Sequence, residues 1–344
     1  MRIGPLALIA FVLIAAATVP SESRAAPFVS DVHVVDGFGT VTASTGRSEL
    51  RQWITRDGGR TFERLRVRGE LDVYGTVLAN GLGYARVGSG RLWRTVDGGR
   101  TWRRTGVRGV FKVAATSTSA WALRSKGRRV WLTRSDDGGR SWTTRSLRVG
   151  GFESPAVDID FADAADGVIS GLRPKDKPFL LVTHNGGRTW TERRSPCGTF
   201  NSKAAPDVRW LVSGTLWLVC TGPGGAGAEA VEVHTSIDAG RSFALRSSAP
   251  LPGTGRSVGQ LAVRGHYKGF SPVSDRRAFM SSGYGFSVTR DGGRRWRGLR
   301  SLPVQLDGGG SVLQVDGKVR YLALGVQGLW RSPDAGARWH RVKL

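Results

Sequence analysis

A chain of 344 residues with a formal charge of +24 has room for two ordinary domains or one large β architecture. Its 49 glycines and the lack of any long 3.6-period stretch exclude helical repeats. The charge is chiefly arginine, 43 against 8 lysines, an excess that attracts polyanions such as acidic glycans, wall polymers, anionic lipid or nucleic acid, with plain genome composition as the alternative origin.

The N-terminus reads as an export signal. Arg2 supplies the positive start, Leu6 to Val19 is apolar, and Ser21 to Ala26 is small and polar enough for cleavage after Ala25. The apolar run, about 14 residues, falls short of the roughly 20 needed to span a bilayer. Residues 1–25 are therefore expected to be a signal peptide, with a retained anchor as the alternative, and 27–344 the folded unit.

Within that unit one stretch, Thr95-Val96-Asp97-Gly98-Gly99-Arg100-Thr101-Trp102, returns six more times as Ser/Thr-x-Asp-x-Gly-x-x-aromatic. The acidic or amide positions are Asp57, Asp97, Asp137, Asn185, Asp238, Asp291 and Asp334; the closing aromatics are Phe62, Trp102, Trp142, Trp190, Phe243, Trp296 and Trp339. Successive boxes are 40, 40, 48, 53, 53 and 43 residues apart, a period that marks a repeated small sheet. Seven copies in so short a chain cannot be seven active sites.

Taken in order, each repeat divides into four short strands counted outward from a central axis, read as β-branched and aromatic runs bounded by Gly and charge. The repeats fall at about 27–66, 67–106, 107–148, 149–195, 196–249, 250–302 and 303–344. In the third, the strands are 111–116, 120–124, 129–134 and 141–147. In the sixth, the first strand is placed at 259–264, followed by a long excursion at 265–276. Because the last repeat supplies its own fourth strand, ring closure is expected to rest on packing alone. The fold class is all-β: a seven-bladed β-propeller of four-stranded antiparallel blades, whose radial repetition protects sheet edges.

The box belongs in the hairpin between third and fourth strands. Its aspartate can accept hydrogen bonds from backbone amides just ahead of it, its glycine supplies angles that a Cβ forbids, and its aromatic packs between sheets. Asn185 can make the same turn, and Ala239 and Ala335 replace the first glycine. Arg60, Arg100, Arg140, Arg188, Arg241 and Arg294 recur inside the box, forming a basic belt on one rim or simply pairing and solvating.

These residues resemble the Asp-box, or bacterial neuraminidase repeat, families over nearly the whole mature chain. The resemblance is strongest to exported propellers similar to photosystem II assembly factors, on Val157 to Asp163 followed by Gly167, Gly328 to Asp334, and the cysteine-bearing Leu216 to Cys220. It implies a non-catalytic binding or assembly platform. Sialidases share the box, and the resemblance to them would require an arginine triad, a tyrosine nucleophile assisted by glutamate and an acid/base aspartate. Arg51, Tyr321 and Glu229 or Glu232 are the nearest candidates, but the family's signature ahead of the first box is missing. Box-bearing glucan hydrolases use two aspartates between tandem rings. This chain has one ring, with Asp31, Asp36, Asp158 and Asp160 as available carboxylates. A glycoside hydrolase is thus the alternative, and no catalytic residue is assigned.

Cys197 and Cys220 are expected to form a disulfide, with a free buried pair as the alternative. Two thiols and five scattered histidines give no ligand cluster, so neither metal nor cofactor is expected. Asp158, Asp160, Asp163 and Asp166 lack the glycine and distal glutamate of a calcium loop and read as a solvated hairpin. The glycine-rich 221–227 lacks the ending of a phosphate loop and reads as a flexible connection. The most localised charge lies in two adjacent loops between second and third strands: Arg124, Lys126, Arg128 and Arg129, then Arg173, Lys175 and Lys177. These are the candidate anion-binding residues, for a protein or an anionic cell-envelope polymer, with a solvated loop pair as the alternative. No nucleic-acid module is visible, and a monomer is expected.

Overall fold

Every repeat folds as the alternation of its sequence demands, into a four-stranded antiparallel meander in strict chain order, and there are seven such sheets. The computed structural model describes residues 28–44, 50–67, 73–127, 129–147, 157–199, 206–225, 227–251, 253, 255–261, 265–283, 285–299, 312–323 and 327–344. The stretch 1–25, expected to be an export signal, lies outside these. The chain is all-β, a seven-bladed propeller, with blades spanning 28–64, 73–104, 110–147, 157–193, 207–249, 267–298 and 312–342. The only helical turn described is Pro196–Thr199, so no described helix is long and apolar enough to cross a membrane.

The core lies between the blades rather than within any one of them. Apolar side chains form seven clusters, one at each seam. Trp121 and Leu132 of blade 3, for example, pack against Ile159 and Phe161 of blade 4. Trp121 stacks on Phe161 with ring centroids 3.6 Å apart and donates from Nε1 to the Gly186 carbonyl at 2.9 Å. Burying such a ring contributes on the order of 3 kcal/mol, so each seam is a small core in its own right. The box aromatic of each blade enters the cluster shared with the preceding blade, as Trp102, Trp142 and Trp190 do.

The box is built as a closed hydrogen-bonded turn. Asp97 accepts from the Thr95 hydroxyl at 2.7 Å, from the Thr101 amide at 2.9 Å and from the Thr101 hydroxyl at 2.6 Å, while the Gly99 amide donates to Thr95 Oγ1 at 2.9 Å. The amides therefore come from four residues onward, and the same pattern holds Asp57, Asp137 and Asp238. Asn185 reproduces it, accepting the Thr189 amide at 2.9 Å and donating to the Thr189 hydroxyl at 2.8 Å. Ala239 and Ala335 stand at φ 56° and 61°, so they accept left-handed strain where other boxes have glycine.

The box also reaches its neighbour. Arg94 Nη1 donates to the Gly138 carbonyl of the next blade at 2.7 Å, Arg134 Nη1 to Gly186 at 2.6 Å, and Arg56 to Gly98. Arg331 of blade 7 donates to Gly58 of blade 1, the same relation carried across the closure. No blade mixes residues from the two ends of the described chain. The seam between blades 7 and 1 is held by a cluster of Val29, Val32, Val34, Trp53, Tyr321 and Leu329, with the Gly37 amide donating to Asp316 at 2.9 Å.

Hydrogen bonds to the box carboxylates set the acid limit of the fold. At Asp57 burial acts to raise the pKa, but bonds from Thr61 and Thr55 reverse this and bring it down to about 2. Asp97, Asp137, Asp238 and Asp334 are also lowered. A carboxylate depressed in the folded state contributes stability that is complete above its unfolded value, about 3.9, and is lost as pH falls toward the folded one. Acid unfolding is therefore expected between about pH 4 and 2. Replacing Asp57, Asp97, Asp137 and Asp238 together by asparagine, the residue blade 4 already uses, is expected to move the circular-dichroism acid midpoint downward.

Two assignments from the sequence change. The first strand of blade 6 is Tyr267–Pro272, inside the stretch read as an excursion, because Gly269 and Pro272 look like loop signals yet are tolerated beside a bulge and at the end of an edge strand. Leu216–Gly225 and Ala228–Ser236 carry the glycine-rich segment as a paired hairpin, Gly224 opposite Glu229, with a bulge around Pro223 in place of a flexible connection.

Candidate functional site

The boxes share their rim with the turns between first and second strands, as the Gly98 amide donating to the Gly81 carbonyl shows. The hairpins between second and third strands lie at the opposite ends of those strands. There the predicted basic loops are tight turns. Lys126 pairs across the ladder with Arg129, and Arg173 with Lys177, so most of the charge sits on strand ends. Arg128 lies outside the described residues. Arg124 donates to the Arg108 carbonyl, and Arg173 forms a bidentate pair with Glu192 at 2.9 and 2.8 Å. Lys126, Arg129, Lys175 and Lys177 are exposed. Of this set, Arg173 is neutralised by its pair with Glu192.

A second basic place lies on the box side, between blades 5 and 6. The connection at 255–261 runs beside the box of blade 6: the Gln260 amide donates to the Arg294 carbonyl at 2.9 Å, and the Trp296 amide to the Gln260 carbonyl at 2.8 Å. This strap, with Arg246 from the fourth strand of blade 5, encloses an open hollow of about 500 Å³ lined by Arg246, Arg294, Arg295, Gln260, Leu245 and Val258. Arg246 is anchored by donating to Thr235 at 2.6 Å. Burial, then the charge of Arg294, holds its guanidinium below the ordinary value. Among the described residues no carboxylate bridges Arg246 or Arg294. The belt arginines Arg60, Arg100, Arg140, Arg188, Arg241 and Arg294 are all exposed, and Arg100 and Arg188 fold back onto their own box carbonyls at 3.3 and 3.0 Å. Of the belt, Arg294 alone lines this hollow.

The carboxylates cluster elsewhere, on the first strands of blades 4 and 5. Arg209 Nη1 bridges Asp158 at 2.8 Å and Asp207 at 3.0 Å, Lys112 reaches Asp158 at 3.4 Å, Tyr267 donates its hydroxyl to Asp207 at 2.6 Å, and the Trp210 amide donates to Asp160 at 2.7 Å. Burial acts to raise Asp158, but Arg209 and Lys112 hold it below its ordinary value. Burial pushes Asp160 and Asp207 up. The cluster links blades 3 to 6, and Asp207 Oδ1 is buried in it with the Arg209 ion pair but no hydrogen bond. Desolvation of its charges offsets much of the attraction in such a buried network.

The remaining enzyme candidates are dispersed. Tyr321 is fully buried in the seam between blades 7 and 1, where burial pushes its hydroxyl up to about 12. Glu229 and Glu232 sit on the third strand of blade 5, accepting from the Tyr267 amide and facing His234, respectively. Asp36 occupies a turn at φ 51°, and the Asp31 side chain is outside the description. The four aspartates weighed as a calcium loop divide: Asp163 caps the amides of Ala165 and Asp166, and Asp166 meets His184 at 2.7 Å.

Cys197 and Cys220 are joined in a disulfide that ties the connection leaving blade 4 to the second strand of blade 5. The spacing of thiols and histidines in the sequence conceals one grouping, around a single histidine. Cross-strand register brings Glu232 and His234 beside Cys220, which linear spacing does not reveal.

No protein-family model matches this sequence, and no curated protein matches it. Among solved structures the chain is similar to YCF48 bound to D1 peptide, at 15% identity and TM-score 0.57, covering 89% of this chain and 92% of that one. It is similar to YCF48 from Cyanidioschyzon merolae at 16% identity and TM-score 0.55, covering 91% and 95%. A structure from an analysis of two prolyl endopeptidases aligns at 12% identity and TM-score 0.57, covering 92% of this chain and 50% of that one. At these identities the likeness is one of fold, that of a β-propeller scaffold.

Proposed function

We propose that this chain is an exported, non-catalytic propeller of the Asp-box type that binds an anionic partner, an acidic protein segment or envelope polymer, in the arginine-lined hollow between blades 5 and 6. The observation that carries the reading is the convergence of Arg246, Arg294 and Arg295 with no carboxylate bridging Arg246 or Arg294 among the described residues. Leu245 and Val258 beside them add apolar surface, which suits a polypeptide better than a uniformly charged polymer. A similar propeller recorded with a peptide bound favours the same class. The disulfide is compatible with export of the propeller, 27–344, after cleavage behind Ala25.

The test is titration of a labelled polyglutamate peptide at low ionic strength, where a Debye length of about 30 Å at 0.01 M leaves the attraction unscreened. Arg246→Ser, Arg294→Ser and Arg295→Ser together are expected to weaken binding about tenfold, from three partly exposed pairs at about 0.5 kcal/mol each. Replacing the seven hairpin residues of blades 3 and 4 by serine is expected to do less. Unchanged affinity in the triple variant, or a greater loss in the hairpin variant, moves the site away from this hollow.

A further inference from the structure

Beside the disulfide lies a set of side chains that the anion reading leaves unused. In the hairpin of second and third strands of blade 5, Cys220 stands directly opposite Glu232, and Leu218 opposite His234. Because residues two apart share a face of a strand, Cys220, Glu232 and His234 fall on one side of the sheet, toward the seam with blade 4. Their donor atoms, one sulfur, one carboxylate oxygen and one imidazole nitrogen, all lie within 4.8 Å of one another. His234 Nε2 meets Glu232 Oε2 at 2.9 Å, and the second sulfur, of Cys197, is bonded to that of Cys220. Cys197, Cys220 and His234 are buried and Glu232 is half-buried.

We propose that reduction of the disulfide converts this place into a zinc site, with Cys220, Glu232, His234 and Cys197 as ligands. Two thiolates, an imidazole and a carboxylate are a donor set that Zn²⁺ accepts in tetrahedral form, with bonds of about 2.3 Å to sulfur and about 2.0–2.2 Å to nitrogen and oxygen. Those bond lengths place neighbouring donors roughly 3–4 Å apart, so His234 and Glu232, now 2.9 Å apart, need only open slightly toward the Cys220 sulfur, and Cys197, outside the group of mutually close donors, must turn in once its sulfur is released. A disulfide leaves no thiolate to coordinate, so disulfide and metal exclude each other at Cys220.

The chemistry balances with a dithiol as reductant. The dithiol gives two electrons and two protons, its own sulfurs join, the Cys197–Cys220 bond breaks and two thiols form. Zn²⁺ then displaces both thiol protons to solvent, and neutral His234 supplies its nitrogen lone pair. Either state pins the connection at Pro196–Thr199 to blade 5, by a covalent bond or through the ion. The bland reading, that His234 and Glu232 are merely a mutually satisfied buried pair, predicts no metal in any redox state.

The experiment uses the full chain reduced with a phosphine under anaerobic conditions and titrated with Co²⁺, then Zn²⁺. One equivalent of Co²⁺ is expected to produce the visible bands of a tetrahedral site with sulfur-to-metal charge transfer, displaced by Zn²⁺, while the oxidised chain shows neither. His234→Ala, whose fold is verified in the oxidised state, is expected to bind the reduced site more than about 100-fold more weakly, exceeding the loss typical of an outer-shell partner. If reduction alone loosens the chain, Zn²⁺ is expected to restore native tryptophan fluorescence. Absence of a tetrahedral spectrum, equal binding by His234→Ala, or failure of Zn²⁺ to restore a loosened chain each overturns the proposal.

Discussion

Gly59→Ala is expected to destabilise the protein by about 4 kcal/mol and to do so by opening the ring at its closure. Gly59 has φ +72°, and a Cβ there would lie 2.4 Å from Tyr321 Cε1, across the seam between blades 1 and 7. The left-handed backbone costs alanine about 1–2 kcal/mol, and overpacking a filled core costs about 1–3 kcal/mol more. Tyr321 cannot yield, since its ring is fully buried among Val29, Val34 and Leu329. Gly240→Ala is the internal control. Its φ is +74°, but the nearest atom, Leu180 Cδ2, is 3.5 Å away, an ordinary contact, so only the backbone contribution applies. Urea denaturation of the two variants checks the difference. Equal losses would mean that the seam adjusts and that closure does not depend on this contact.

Replacing Cys197 and Cys220 together by alanine is expected to cost about 3 kcal/mol. The bridge closes a loop with a sequence separation of 23, and releasing that constraint widens the unfolded ensemble. Both residues are also buried in the cluster with Val208, Trp210 and Leu218, so the substitution removes packed sulfur as well. The denaturation midpoint is expected to fall while the remaining blades keep their spectroscopic signature. A loss below about 0.5 kcal/mol would mean that packing between blades 4 and 5 already constrains the unfolded loop. This variant lacks both thiols, so it also serves as a metal-free baseline for the reduced protein.

The acid limit behaves differently from either. Box aspartates favour folding only above their depressed values, whereas Asp160 and Asp207, raised by burial, favour it at low pH and lose that contribution as pH rises through them. The two groups oppose each other, and the boxes set the acid side because there are more of them.

The seven-bladed fold was legible in the chain because its signal is periodic and local. Thr95, Asp97 and Gly99 close their turn within eight residues, and the strands around them send alternate side chains to two different seams, as Trp93 and Leu92 do. What misled at blade 6 was also local: Gly269 and Pro272 carry loop chemistry inside a strand whose edge position tolerates them. The site was far less legible. Arg246 and Arg294 lie 48 positions apart and meet only because adjacent blades pack. Cys220 and His234 belong together through ladder register, and the arginines that join one box to the next, Arg56, Arg94, Arg134 and Arg331, look in sequence like any of the 43. Repetition, turn chemistry and alternation act over a few residues, so the sequence by itself determined the blade and its number. Seams, the closure between Gly59 and Tyr321, and the gathering of charges and ligands depend on contacts between blades, whose partners only the tertiary structure decided.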